Sequence, residues 1–289
     1  MAERKTKKRK AAERKSALLH RLAQTRNPLA LRKARGPFDI VGDVHGCMDE
    51  LLALMEAMSY RVERVGKEFA VTPPQGRTLA FVGDLVDRGP AAPAVLRLAM
   101  GMARAGTALC VAGNRDIELV RVLRGSAVRV TRGMARSLDQ MAAEPESFRA
   151  AVRDFLHELP SHLVLDEGRL VIAHAGLKEA LQGRSSAAAR AFALHGDVTG
   201  AKDAAGLPVR RIWAAAYRGK ALVVHGHTPV SAPMWLNNTI NIDTGCAYGG
   251  HLTALRYPER GTLSIPAKRI YYPPRRPFPP NHTLDRARK

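Results

Sequence analysis

The stretch Phe38-Asp39-Ile40-Val41-Gly42-Asp43-Val44-His45-Gly46 constrains this chain more than any other. A short apolar run with β-branched residues reads as a buried strand. It stops at a carboxylate, with an imidazole two residues on and glycines on either side. Side chains alternate faces along an extended chain, so Asp43 and His45 leave the strand end on the same side. One hard oxygen donor and one nitrogen donor then address a single point, an arrangement that suits a divalent metal. A lone Asp-x-His triplet occurs by chance, so its weight depends on whether other strand ends supply more donors.

They do. Residues 78–82 form a second apolar run, ending in Gly83-Asp84-Leu85-Val86-Asp87-Arg88-Gly89-Pro90. Residues 107–112 form a third, ending in Gly113-Asn114-Arg115-Asp116. Apolar residues at helical spacing follow each run, over 47–58, 93–104 and 117–123. Strand, polar loop and helix in repeated alternation predict an α/β architecture with a largely buried sheet. In open α/β sheets the ligand site lies outside the carboxyl ends of the strands. Downstream, 163–165 and 170–173 predict a hairpin ending at His174. Strands over 221–224 and 239–242 end at His225-Gly226-His227 and at Asp243, and strands over 252–256 and 262–265 close the sheet. A short strand is expected at 69–71, and helices at 137–141, 146–159 and 187–194, with a glycine-containing loop after the last.

Asp43, His45, Asp84, Asn114, His174, His227 and Asp243 therefore form an oxygen and nitrogen donor set without a thiolate. Such a set suits manganese first, or iron, cobalt, nickel or zinc, and not a Cys-rich structural zinc. The donors outnumber one tetrahedral site; a carboxylate bridging two metals about 4 Å apart accounts for the count. Two metals clamp a phosphoryl group and lower the pKa of a bound water, so no Ser or Cys nucleophile is needed.

The blocks Gly42-Asp43-Val44-His45-Gly46, Gly83-Asp84-Leu85-Val86-Asp87-Arg88-Gly89 and Gly113-Asn114, at these spacings, resemble the signature of the calcineurin-like metallophosphoesterases. Val171 to Lys178, Gly206-Leu207-Pro208-Val209-Arg210, Gly226-His227-Thr228-Pro229-Val230 and Asn241 to Cys246 extend the likeness. Together they look most like one branch, the phosphatase module of bacterial polynucleotide kinase-phosphatases, over about residues 37–260. The resemblance implies two packed mixed β-sheets flanked by helices, a four-layer αββα fold. It implies that Asp43 and His45 hold one metal, that Asp84 bridges, and that Asn114, His174 and His227 hold the second. Arg88 and Asn114 would bind phosphate, with Arg88 gripping it bidentately, as its planar fork allows. Asp243 would support the site.

The chain departs from that pattern at one position. The family places a His after Gly-Asn, which donates a proton to the leaving group and is oriented by the residue matching Asp87. Here the residue is Arg115, and a guanidinium does not give up its proton in this pH range. Loss of a general acid typically costs about 10²–10⁴ in rate. Either Arg115 pairs with Asp87 and stabilises charge, or another acid such as His225 substitutes, or the site binds without much turnover. His20, His157, His162, His195, His251 and His282 lack ligand spacing and are expected to be ordinary.

The formal net charge is +20 and is concentrated at the ends: residues 1–35 carry +11, residues 268–289 carry +6, and the middle about +3. The expected organisation is a basic disordered tail over 1–35 (charged over 1–15, weakly helical over 16–26), a metallophosphoesterase domain over 36–267 and a Pro- and Arg-rich tail over 268–289. Basic tails attract RNA or DNA by counterion release, without sequence preference. Cys47, Cys110 and Cys246 show no paired spacing, which fits a reducing compartment. No run of about 18 apolar residues predicts a membrane span. A cytoplasmic enzyme is expected. The chain has no Gly-x-x-x-x-Gly-Lys-[Ser/Thr] loop, hence no kinase module.

The leading sequence reading is a binuclear phosphatase acting on nucleic-acid 3′ or 2′ ends, including 2′,3′-cyclic phosphate, as in RNA repair. The alternatives are a phosphoprotein or dinucleoside-polyphosphate phosphatase, and a nucleic-acid-binding protein with a weakened site.

Overall fold

A computed structural model describes residues 27–29, 31–204, 206–274 and 278. The tail expected to be disordered over 1–15 and weakly helical over 16–26 lies outside them. From β1 (Phe38–Val41) the chain runs through α1 (Met48–Ala57), the hairpin β2 (Arg61–Val65) and β3 (Glu68–Thr72), β4 (Thr78–Phe81), α2 (Ala92–Arg104), β5 (Ala108–Cys110) and α3 (Asn114–Leu123). Helices α4 (Arg132–Ala142) and α5 (Glu146–Glu158) follow, then β6 (His162–Leu165), β7 (Leu170–Ala173) and α6 (Ala187–His195). The hairpin β8 (Val198–Lys202) and β9 (Pro208–Arg210), then β10 (Leu222–His225), β11 (Met234–Leu236), β12 (Thr239–Asn241), β13 (His251–Tyr257) and β14 (Thr262–Pro266) complete it.

Ten strands build two sheets of five, ordered β14-β13-β1-β4-β5 and β11-β12-β10-β7-β6. Each has three adjacent parallel strands, β1, β4 and β5 in one and β12, β10 and β7 in the other; antiparallel β13 and β14 lie beyond β1, and antiparallel β11 and β6 flank the second set. Every residue of β1, β4, β6, β7 and β10 is buried. That is why these strands read as continuous apolar runs: both of their faces are covered. Phe38, Ile40, Ala80 and Val82 of the first sheet meet Ile172, Leu222, Val224 and Ile240 of the second in one apolar layer. A second layer lies between the first sheet and α1, α2, α4 and α5, and a third packs Trp213 and Ala193 on the outer face of the second sheet. The result is the expected α/β arrangement of two packed mixed sheets flanked by helices.

The exposed hairpins differ from expectation. A short strand at 69–71 is a full hairpin, β2–β3, and the glycine-containing loop after α6 carries β8–β9. Both are largely solvent-facing, so charged residues interrupt their apolar signal. The stretches read as tails also join the fold. Leu31 is buried in the inter-sheet layer, and Val164 N–H donates to Pro28 O at 3.0 Å. Beyond β14, Lys268 N–H and Tyr271 OH both donate to Glu50 Oε1, at 2.9 and 2.8 Å.

His162 illustrates what burial does to a histidine outside the site. Its Nε2 accepts from Gly183 N–H at 2.9 Å, and burial pushes its pKa from the ordinary 6.5 down to about 4. A group whose folded pKa is depressed below its unfolded value must stay neutral to keep the fold. The associated stability is therefore complete above about pH 6.5 and is lost as pH falls toward 4, by about 3 kcal/mol in all. His162→Gln retains an acceptor for Gly183. It is expected to flatten the fall in urea-unfolding stability across that window, and an unchanged fall would exclude His162 as its source.

Candidate metal centre

The site is assembled at the carboxyl ends of the parallel strands of both sheets, where the end of a parallel sheet offers a crevice. Asp43 and His45 follow β1, Asp84 follows β4, and Asn114 opens α3 after β5. His174 follows β7, His227 follows β10, and Asp243 follows β12. Asp116 ties two of these loops together, accepting Leu85 N–H and Gly113 N–H, each at 2.9 Å.

Two donor triads result, Asp43 with His45 and Asp84, and Asp84 with His174 and His227, and in each the donor atoms lie within 4.8 Å of one another. Asp84 belongs to both. Its Oδ2 lies 3.6 Å from His45 Nε2 and its Oδ1 3.4 Å from His174 Nε2. Asn114 Oδ1 and His227 Nδ1 approach the same His174 nitrogen, at 3.0 and 2.9 Å. Asp43 accepts His227 N–H at 3.1 Å, which joins the two triads. Asp243 stands beside Asp43 across Gly226 but enters neither triad; its Oδ1 accepts Gly245 N–H at 3.0 Å.

Backbone carbonyls set the imidazole tautomers. His45 Nδ1–H donates to Val86 O at 2.8 Å and His174 Nδ1–H to Val82 O at 3.2 Å, so both Nε2 atoms carry a lone pair toward the centre. Around His174 Nε2 the acceptor oxygens of Asn114 and Asp84 converge at 3.0 and 3.4 Å, a grouping of acceptors that suits a cation. Burial, then the Arg88 charge, takes His45 down to about 3; burial also lowers His174 and His227. Neutral imidazoles are what a metal requires. Burial, and then the carboxylates of Asp243 and Asp84, push Asp43 well above the usual carboxylate range, and burial takes Asp243 up to about 7. Crowded, mutually repelling carboxylates beside neutral imidazoles fit a pair of divalent cations.

The backbone is strained at the same place. His45, Asp84, Asp87, Arg88 and His227 all have positive φ, at 48°, 49°, 78°, 69° and 74°. Non-glycine residues are uncommon in this region and each costs of order 1–3 kcal/mol. Gly113 and Gly226 leave the necessary room: a Cβ on Gly226 would collide with Asp43 Oδ1, and one on Gly113 with Asp84.

Above the triads lies a cavity of about 380 Å³ whose walls include Arg88, Arg115, Arg210, His195, Tyr248 and Tyr272. Arg88 Nη1 donates to His45 Nε2. Arg115 lies 3.2 Å from Asp87 and 2.7 Å from Glu118, and Arg88 Nε lies 3.5 Å from the same Asp87. Asp87 is thus shared by two guanidiniums. His225, the other acid considered, packs against Trp213 with ring centroids 5.3 Å apart and does not line the cavity. His195, read as ordinary, does line it. Arg210, from the unexpected hairpin, donates to His227 Nε2 at 2.8 Å; its block resembled the family, but no role was attached to it. A larger cavity of about 600 Å³ under β2–β3 is walled by residues such as Leu52, Phe69 and Arg97 and holds none of the strand-end donors.

The family model for calcineurin-like phosphoesterases matches residues 36–231, the segment that carries every donor of both triads. The chain belongs to the calcineurin-like phosphoesterase family. As a member it is a hydrolase of phosphoester bonds that works with divalent metal ions. The asymmetrical bis(5′-nucleosyl)-tetraphosphatase PrpE of Anoxybacillus flavithermus is 44% identical over 246 residues, covering 83% of this chain and 99% of that protein. The PrpE of Bacillus subtilis is 41% identical over 238 residues, covering 81% and 96%. A protein serine/threonine phosphatase from Saccharomyces cerevisiae superposes with a TM-score of 0.56 at 12% identity, covering 91% of each chain, and shows the shared fold. The superfamily expected from sequence stands, but the branch is corrected: these relatives carry the tetraphosphatase name, not that of a polynucleotide kinase-phosphatase. The signature blocks shared across the superfamily report the metal core, and that core does not encode the branch.

Proposed function

We propose that this phosphoesterase hydrolyses dinucleoside polyphosphates, with Asp43, His45 and Asp84 holding one divalent metal and Asp84, Asn114, His174 and His227 a second. Such a metal pair supplies charge neutralisation and an activated water. Arg88 grips the phosphate oxygens, with its own orientation set by Asp87. Arg115, also fixed on Asp87, offers positive charge where negative charge accumulates in the transition state. Asp243 keeps Asp43 in place across Gly226.

The observation that carries this reading is the guanidinium of Arg115 on Asp87, where a proton donor would otherwise stand. A phosphate monoester at a nucleic-acid end expels an alkoxide, which needs a proton as it leaves. A phosphoanhydride expels a nucleotide phosphate, whose last pKa is about 6, and it leaves unprotonated at neutral pH. A cation is the right group for that leaving group, and an acid is dispensable. The near full-length similarity to proteins named bis(5′-nucleosyl)-tetraphosphatase supports the same choice.

The test compares diadenosine tetraphosphate with a 3′-phosphorylated oligonucleotide, with manganese present, following products by chromatography. Turnover of the dinucleotide is expected to exceed that of the oligonucleotide by about 10² or more. Faster release of phosphate from the oligonucleotide would overturn the proposal and restore the nucleic-acid-end reading.

A further inference from the structure

One group at the mouth of the cavity has no use in phosphate or metal chemistry. Tyr248, Tyr272 and Phe278 line it alongside Arg88. Tyr248 sits in a one-turn helix, Cys246–Tyr248, flanked by Gly245 and Gly249, both left-handed at φ 71° and 88°. These glycines turn the chain sharply on both sides of the ring, and the Arg88 guanidinium lies over that ring, 4.9 Å from its centroid. Tyr272 arrives from a distant part of the sequence, on the segment that leaves β14 and runs back to the site. That segment is pinned: Tyr271 N–H and Tyr272 N–H donate to Ala247 O at 3.1 and 2.9 Å, and Arg136 Nη1 donates to Tyr271 O at 3.0 Å. The Tyr272 ring lies 6.2 Å from Tyr248 at 67°, and the Phe278 ring 5.7 Å from Tyr248 at 71°. Phe278 rests against Gly245, where a Cβ would collide with it.

Tyr272 and Phe278 each meet Tyr248 edge to face, which makes an aromatic corner and not a closed stack. All three are only half-buried, in a cavity that also holds Asp84, Asn114 and His227 of the donor cluster and the guanidiniums of Arg88, Arg115 and Arg210. A phosphoryl group gains nothing from such a corner. A flat π-system attached to a phosphate chain does, and base–aromatic stacking is worth about 1–3 kcal/mol per base. Arg88 touches both halves of the arrangement, with its guanidinium on the Tyr248 ring and directed at His45.

We propose that Tyr248, Tyr272 and Phe278 form the seat of one nucleobase, so that the site takes a nucleoside phosphate by its base as well as by its phosphate chain. This deepens the dinucleoside-polyphosphate reading, on which it rests for the identity of the natural ligand. It assigns a binding role to the segment after β14, which the sequence presented only as a basic tail.

AMP and ribose 5-phosphate carry the same phosphate and differ in the base, so they isolate the seat. Calorimetric titration of the manganese-loaded full chain is expected to show AMP binding about 5- to 150-fold more tightly than ribose 5-phosphate. Tyr272→Ala/Phe278→Ala is expected to erase that ratio while leaving ribose 5-phosphate binding unchanged, and Tyr272→Trp is expected to keep it. Equal affinity of the two ligands for the wild type would overturn the proposal. So would a double variant that weakens both alike, or one that leaves the ratio intact. Hydrolysis of diadenosine tetraphosphate by the same samples separates this from the proposed function. A preserved AMP preference without dinucleotide hydrolysis rejects the function and retains the seat, and hydrolysis without a base preference rejects the seat alone.

Discussion

Asp84→Asn is expected to lower phosphoesterase activity by more than about 10³-fold while the protein stays folded. Asp84 is the residue common to both donor triads, one oxygen facing His45 and the other His174. In the proposed arrangement its single negative charge serves two cations. Asn keeps the shape and can still accept Arg115 N–H, which now donates to Asp84 Oδ1 at 2.9 Å, so α3 keeps its start. What Asn lacks is the charge, and metal-assisted stabilisation is worth several kcal/mol, each 1.36 kcal/mol being tenfold in rate. Activity on p-nitrophenyl phosphate and metal content by mass spectrometry measure the two halves of the expectation. Two metals per chain should fall to one or none, with far-ultraviolet circular dichroism unchanged. Wild-type turnover with full metal content would remove Asp84 from the centre.

Arg115→His is expected to change which leaving group the enzyme tolerates. Asp87 already holds Arg115 Nε at 3.2 Å, and the same carboxylate can accept an imidazole N–H. A His so placed is a proton donor, and general acids contribute about 10²–10⁴ in rate. The gain should appear on the 3′-phosphorylated oligonucleotide, whose alkoxide needs the proton. It should be small or absent on p-nitrophenyl phosphate, whose leaving group is a stable anion near neutral pH, while diadenosine tetraphosphate should be cleaved more slowly because the guanidinium charge is gone. Steady-state kinetics on the three substrates decide this. A uniform gain would mean that Arg115 had only been obstructing the site. Unchanged turnover of the dinucleotide would mean that the charge of Arg115 does not contribute to anhydride cleavage. No gain on the oligonucleotide would show that position 115 does not reach the leaving group.

The convergence of the donor residues was legible because they lie at strand ends. Buried parallel strands are forced into apolar runs, so their termini stand out, and each donor interrupts such a run at a fixed register. The rest of the cavity was not legible. Arg210, Tyr248 and Tyr272 come from an exposed hairpin, a one-turn helix and the segment after β14. Their approach to the cavity is set by tertiary packing and leaves no periodicity in the sequence. The same limit hid β2–β3 and β8–β9, whose outward residues are polar. Arg115 was visible at once, and its pairing with Asp87 was one of three alternatives the sequence left open. The structure shows that pairing; its consequence for the leaving group belongs to the proposed function.

The donor set has a consequence for how such a protein tolerates change. Asp43, His45, Asp84 and Asn114 hang from one sheet and His174 and His227 from the other, so the centre exists only while the sheets keep their spacing. Displacements of about 1 Å can cost 10² in rate. Side chains such as Ile40 and Val224, buried in the layer between the sheets, are therefore shims that set a mechanical tolerance. Drift in that layer would silence the enzyme long before it unfolded it, and selection for turnover would act on residues that never meet a substrate.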